Sequence, residues 1–108
     1  MVDAVLSLPY NVQVYNVFVL RGNVAVLRCS VSEPMRSRVN VVAWWKEDTL
    51  SSTSPVEVHS GGRYLLTSLG DLHIRDVSSA DGHMKYKCQI RDIVTGRTQY
   101  SSSGHVIV

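Results

Sequence analysis

The chain has 108 residues, a net charge of +2 and an apolar fraction of 44%. That length suits one compact domain and is too short for two independent hydrophobic cores. No apolar run approaches the roughly 20 residues that a membrane-spanning helix needs, so we expect membrane contact only through other parts of a parent chain. The lysines and arginines are scattered and form no basic stripe, which argues against binding of nucleic acid.

The first apolar residues alternate as they do in a β-strand, but the alternation shifts once. Residues 1–9 end in Pro9, which lacks a backbone donor and is typical of a linker or a strand edge. Apolar residues then occupy even positions at Val12 and Val14 and odd positions at Val17 and Val19. A strand that kinks at Tyr15-Asn16 and then changes its partner explains the shift.

Turn residues recur roughly every eight to twelve positions after the kink, as they do in a sandwich of short strands. The predicted strands are 24–31, 39–46, 64–67, 71–76, 85–91 and a last one that ends at residue 108. Residues 47–62 are polar and predict a loop with at most one short edge strand. In strand 39–46, parity places Val42 and Trp44 on one face and leaves Trp45 on the opposite face.

The only two cysteines, Cys29 and Cys88, lie far apart in the chain. This separation rules out the short spacing of a redox or metal motif. In a small all-β chain, two distant cysteines most often form one long-range disulfide. The alternative is two buried free thiols, since free cysteine is itself often buried. A disulfide would place the protein in an oxidising compartment.

A predicted core surrounds these cysteines. Trp44 follows Cys29 with the same strand parity, so its indole can pack over the bridge. Residues 72–77 supply an apolar pair just before a turn-rich corner at 78–82. The predicted core residues are Leu27, Trp44, Leu72, Ile74 and Tyr86.

Two polar features are expected at the corner. Tyr86 stands two residues before Cys88, where its hydroxyl can bond to the backbone upstream. Arg63 opens its strand and is placed to form a charge-assisted pair with Asp81. Together with the tryptophan and the cysteines, these features occur along the chain in the order expected of a two-sheet sandwich.

Several stretches also carry a resemblance to a known family, namely 14–23, 25–29, 62–64, 70–74 and 94–97. The chain resembles an immunoglobulin superfamily domain of the I-set type and, more narrowly, the second immunoglobulin domain of Dscam (Down syndrome cell adhesion molecule) receptors. The resemblance implies an all-β, two-sheet Greek-key sandwich with one inter-sheet disulfide. Residues 1–9 would be a linker or the tail of a preceding domain, and residues 10–108 a single immunoglobulin-like domain. One departure is the corner after Asp81-Gly82, which is one residue longer than the general superfamily pattern.

No arrangement typical of an enzyme, a cofactor site or a metal site is found in the sequence. The four histidines, His59, His73, His83 and His105, lie on separate segments without the spacing of metal ligands. No serine stands in a nucleophile-elbow motif, and there is no glycine-rich phosphate loop. We therefore expect a non-enzymatic protein without a cofactor or a metal ion.

The resemblance further implies an extracellular adhesion module on a larger, membrane-anchored receptor. In Dscam-like receptors the second domain contributes to homophilic recognition through its first strands, so the predicted partner is an identical domain, bound weakly. The candidate contacts are Gln13, Tyr15, Asn16 and Phe18. An exposed edge strand offers unpaired backbone groups for such pairing. Packing against a neighbouring domain is an alternative explanation of Phe18.

A second candidate surface uses outward-facing residues of the sheets. Its members are Val24, Val26, Leu65 and His73, and Trp45 on the other sheet. Two further roles stay open, a heterophilic ligand-binding module and a structural spacer, because a fold alone does not fix function. Self-association of the purified domain would separate homophilic binding from both.

Overall fold

The computed structural model describes residues 11–33, 35–51 and 53–108, so the linker predicted at 1–9 lies outside the described residues. Two short 3-10 helices are present in this part, Met35–Arg38 and Ser79–His83. The strands are β1 Val12–Gln13, β2 Val17–Phe18, β3 Ala25–Leu27, β4 Ser30–Val31, β5 Val39–Asp48, β6 Val56–Val58, β7 Tyr64–Leu66, β8 Leu72–Ile74, β9 Met84–Asp92, β10 Thr98–Tyr100 and β11 Gly104–Ile107. The all-β class predicted from the alternation is confirmed.

The strands form two packed layers. The larger layer has the strand order β2-β11-β9-β5-β6, with β10 also paired to β9. The smaller layer contains the ladders β3-β8-β7 and β1-β4. Because β4 follows β3 after only two residues, these two ladders lie side by side on the same face of the core. The predicted two-sheet sandwich is therefore confirmed.

The chain crosses from one layer to the other at its first strand. Val12 of β1 pairs with Val31 antiparallel, whereas Val17 of β2 pairs with Val106 in a parallel register. The kink predicted at Tyr15-Asn16 is confirmed by this change of partner. It leaves β2 as one of the two outer edges of the larger sheet.

The core lies between the layers and contains all five residues predicted for it, none of which exposes more than 1% of its surface. The predicted disulfide is also present and joins Cys29, between β3 and β4, to Cys88 in β9. The indole N–H of Trp44 donates to the carbonyl oxygen of Gly70 over 2.8 Å. Gly70 adopts φ +90°, and a Cβ there would stand 2.7 Å from Val41. Only glycine can bring that carbonyl so close to the core strand.

The faces of β5 differ from the prediction because the strand contains a bulge. Val41 pairs with Ile90 and Ala43 pairs with Gln89, so Val42 is an extra residue in the ladder. The predicted pairing of Val42 and Trp44 on one face is therefore wrong, since Val42 is 47% exposed while Trp44 is buried. A single inserted residue reverses the parity of all residues on one side of it.

Two other strands are less continuous than predicted. The strand predicted at 24–31 divides at Arg28-Cys29, because its first half pairs with β8 and its second half with β1. The last strand divides at 101–103. There the backbone N–H of Cys88 donates to the hydroxyl of Ser101 over 2.9 Å, which replaces a regular ladder bond.

The ion pair predicted at the corner is present. Two nitrogens of Arg63 each donate to one carboxylate oxygen of Asp81 over 2.9 Å. Asp81 is almost fully buried, and it also accepts the N–H of Ser78 over 2.9 Å. Such a bidentate bond fixes geometry as well as adding energy, so it fastens the corner to the start of β7.

The hydrogen bond predicted for Tyr86 is wrong. Its hydroxyl is buried and has no hydrogen-bond partner in the part of the chain that the structure describes. The longer corner forms a 3-10 turn whose carbonyls are already used: Met84 donates to Asp81, and Thr49 donates to His83. Burial, together with the neighbouring Tyr64, raises the pKa of the Tyr86 hydroxyl far above its ordinary value.

Acid is expected to weaken the corner ion pair. Burial alone would raise the pKa of Asp81, but the bonds from Arg63 and Ser78 outweigh it and hold that pKa below the ordinary 3.8. The unfolded chain thus binds this proton more readily, so the stabilisation is complete above the ordinary pKa and is lost as pH falls through the folded-state value. At neutral pH, Asp81→Asn should lower the free energy of unfolding by about 1–3 kcal/mol.

Urea denaturation across a pH series provides the measurement. The difference between Asp81→Asn and wild type should narrow as the pH is lowered below 3.8. A difference that stays constant over the whole series would show that the charge of Asp81 does not contribute.

Candidate functional site

The open edge of β2 is the most exposed apolar part of the larger sheet. One side of β2 pairs with β11, and Val19 continues this ladder by donating its N–H to Ile107 over 2.9 Å. The other side of β2 pairs with no strand among the described residues. Unpaired N–H and C=O groups on such an edge can accept another strand.

Parity at this edge agrees with the sequence pattern. Val17 and Val19 pack against the core, while Phe18 is 82% exposed and Leu20 is 77% exposed. Tyr15, at the kink, is 63% exposed. Three large apolar side chains therefore face solvent within one short segment, where single exposed apolar residues would need no explanation.

The four candidate contacts do not have equal roles. Gln13 lies on β1 and donates from its side chain to Asn11 over 3.1 Å. Asn16 is exposed, but its side-chain oxygen accepts the backbone N–H of His105 over 2.8 Å. This bond holds the kink against β11, so Asn16 positions the edge, whereas Tyr15 and Phe18 have side chains directed to solvent.

Four of the residues proposed for the second surface lie together on the outer face of the smaller layer. Val26, His73 and Leu65 form one row across β3, β8 and β7. Val24 lies directly before β3 and is 48% exposed. A shallow cavity of about 360 Å³ reaches from this face to the kink and is lined by Tyr15, Val17, Val26, Arg28 and Ser30. The smaller layer is therefore continuous with the β2 edge at Tyr15.

Trp45 lies apart from these four, on the outer face of the larger layer. Its ring meets Tyr100 edge-on at a centroid distance of 6.2 Å, and its N–H donates to the Gln89 side chain over 3.1 Å. The ammonium group of Lys87 stands 4.4 Å from the centre of the Tyr100 ring. These contacts hold the aromatic pair in a fixed orientation on the surface.

These features, a two-layer sandwich with a buried tryptophan beside an inter-sheet disulfide, agree with a family match. The model of the immunoglobulin domain matches residues 16–99. The chain belongs to the immunoglobulin domain family. The described residues contain no group of three or more histidine, cysteine, aspartate or glutamate side chains that could hold a metal ion. They also include no helix that is long and apolar enough to cross a membrane.

This immunoglobulin domain is similar to parts of much longer proteins. It is 41% identical over 107 residues to the rat cell adhesion molecule DSCAM, covering 99% of this chain and 5% of the relative. It is 32% identical over 108 residues to the Drosophila melanogaster cell adhesion molecule Dscam1, with the same two coverages. The chain thus spans about one twentieth of the length of these curated relatives.

Solved structures give the same likeness. The domain superposes on the N-terminal four immunoglobulin domains of Dscam1 isoform 6.44 with a TM-score of 0.80 and 31% identity, covering 94% of this chain and 26% of that one. For the N-terminal eight domains of DSCAM isoform 1.30.30 the TM-score is 0.80 and the identity 29%, covering 94% and 13%. The resemblance to Dscam-family domains is therefore confirmed.

Sequence reasoning missed most of the cluster around Trp45. Lys87 and Gln89 alternate with the buried Tyr86, Cys88 and Ile90, so their outward direction could have been predicted from β9 alone. Tyr100 could not be placed in this way, because the last strand divides directly after it.

Proposed function

We propose that this immunoglobulin domain is a recognition module of an extracellular adhesion receptor and binds an identical domain through the edge of β2. The observation that carries the proposal is the unpaired side of β2 together with the exposed side chains of Tyr15 and Phe18. The relatives named above are cell adhesion molecules. By resemblance, the domain would stand second in a tandem array on the receptor.

A two-fold axis gives this edge a partner that always fits it. When the axis passes beside the open edge of β2, between the two copies, the second β2 runs antiparallel to the first, and the same residues contact each other in both directions. Backbone bonds between the two strands would satisfy the open edge, while Phe18 and Tyr15 would bury apolar surface. Polar side chains beside them, such as Gln13, would select against strands of a different sequence more than they add affinity.

The disulfide supports an extracellular location. Cys29 and Cys88 are oxidised and link the two layers, and such bonds persist in secreted and cell-surface proteins. A single short strand offers less area than a standard protein interface, so the self-affinity of the isolated domain should be weak. Other domains of a receptor would strengthen it through their effective concentration.

Phe18→Asp is expected to abolish self-association through the β2 edge of the oxidised domain. The substitution places a charge at the centre of the two-fold contact, opposite the same charge of the second copy. The measurement is sedimentation velocity from micromolar concentrations to about 1 mM, a range that covers weak complexes. Wild type should form a concentration-dependent dimer, and the dimerisation affinity of the variant should be at least about tenfold lower.

Leu69→Asp provides the matched control. Leu69 is 85% exposed, close to the 82% of Phe18, but it lies in the turn between β7 and β8. The Leu69→Asp variant should therefore dimerise like wild type. A wild-type domain that stays monomeric throughout the range would instead favour a heterophilic or spacer role.

A further inference from the structure

A second self-complementary surface lies on the outer face of the larger layer. Trp45 on β5 pairs with Glu57 of β6 on one side and with Lys87 of β9 on the other. One straight row across three strands therefore presents an acid, an aromatic ring and a base. Side chains of one row on the same face are about 5 Å apart from strand to strand.

This order of charges is complementary to itself. A two-fold axis that runs along β5, between two copies packed face to face, places each position of the row over its mirror position. Glu57 of one copy then stands over Lys87 of the other, and Lys87 over Glu57, while the two Trp45 rings meet on the axis. An axis perpendicular to the strands would instead put like charges together, so the row selects one orientation.

We propose that a second copy of this chain docks on the face around Trp45, in addition to the β2 edge. The face is already organised for binding. Trp45 is held by Gln89 and Tyr100, and Lys87 is held over the Tyr100 ring. Fixed aromatic side chains lose little conformational freedom on binding and are typical of the residues that dominate interface energy.

The charges of the row have few competing partners. Lys87 forms no ion pair within the described residues, and Glu57 meets only the exposed His59, at 4.0 Å. The neighbouring row pairs Glu47 with Lys85 over 3.5 Å, which neutralises it. Attraction between copies therefore falls on Glu57 and Lys87. Three such rows over four strands offer a contact area on the order of 400 Å² per copy. Because a standard interface buries about twice that area per partner, we expect weak association.

Complementary charge reversal tests this face. With Glu57→Lys the row carries two bases, and with Lys87→Glu it carries two acids, so neither variant should associate with itself. An equimolar mixture of the two restores both contacts and should associate at least about tenfold more tightly than either variant alone. The experiment is sedimentation velocity up to about 1 mM, on a Phe18→Asp background that silences β2.

The exposed pair of Glu33 and Arg36 supplies matched controls. The two side chains are separated by 3.6 Å and are both 72% exposed, and the pair lies at the 3-10 helix Met35–Arg38, before β5 begins. Glu33→Lys and Arg36→Glu make the same changes of net charge and should leave the association of the Phe18→Asp background unchanged.

The outcomes separate this proposal from the proposed function. Docking around Trp45 is supported if the Phe18→Asp domain still associates, if each charge-reversed variant on that background does not, and if mixing the two variants restores association. A Phe18→Asp domain that is monomeric at every concentration overturns it and leaves the β2 proposal intact. A mixture that associates no better than its components also overturns it.

Discussion

Trp44→Ala should lower the free energy of unfolding by about 3–5 kcal/mol. Trp44 is the largest side chain of the core, and only 1% of its surface is exposed. Its removal leaves a cavity beside the disulfide and also removes the donor that the Gly70 carbonyl receives at 2.8 Å. A domain of this size has a total stability of about 5–15 kcal/mol, so the variant should be close to the limit of folding.

The adjacent tryptophan gives a direct control for this effect. Trp45→Ala removes the same side chain from the outer face and should cost only about 1–2 kcal/mol. Trp44→Phe keeps an aromatic ring in the core and tests the bond to Gly70 separately. Urea denaturation followed by circular dichroism measures all three. Equal losses at the two tryptophans would contradict the assignment of Trp44 to the core and Trp45 to the surface.

Replacing Cys29 and Cys88 together by alanine should cost about 4 kcal/mol. The bridge spans 59 residues, and a cross-link over a long loop removes much of the conformational freedom of the unfolded chain. The double variant avoids leaving a single buried thiol in the core. Its unfolding midpoint, measured in urea without reductant, is compared with that of the oxidised domain.

Reductant distinguishes the cross-link from the packing of the two side chains. With reductant, the wild-type domain should fall towards the stability of the double variant, because both then lack the covalent link. If reduction leaves the wild-type midpoint unchanged once the thiols are shown to be reduced, the bridge contributes nothing to stability.

Local patterns in the sequence were sufficient for the core and the disulfide. Leu72 and Ile74 alternate with polar neighbours on a short strand, and period-two alternation depends only on adjacent residues. The exchange of partners between β1 and β2 was also predictable, because a change of sheet must reverse which residues face inward. Arg63 and Asp81 could be paired because both lie at the ends of predicted elements.

Features that depend on distant parts of the chain could not be predicted. The bond from His105 to Asn16 joins residues 89 positions apart, and no local pattern indicates it. The hydroxyl of Tyr86 has no hydrogen-bond partner among the described residues, and the carbonyls of the lengthened corner accept from Met84 and Thr49 instead. The outward direction of Phe18 could be predicted from parity, whereas the open edge of β2 and the Trp45 cluster required the strand order and register.

The extra residue at Val42 links the interior of the domain to its surface. Upstream of Val42 the odd-numbered positions of β5 face the core, and downstream the even-numbered ones do. Removing Val42 would restore regular pairing and leave Trp44 opposite Cys88 and Trp45 opposite Lys87, so both tryptophans would keep their faces. A lineage could therefore lose this bulge without disturbing the core, whereas one further residue inserted in the strand would exchange core and surface positions on one side of the insertion.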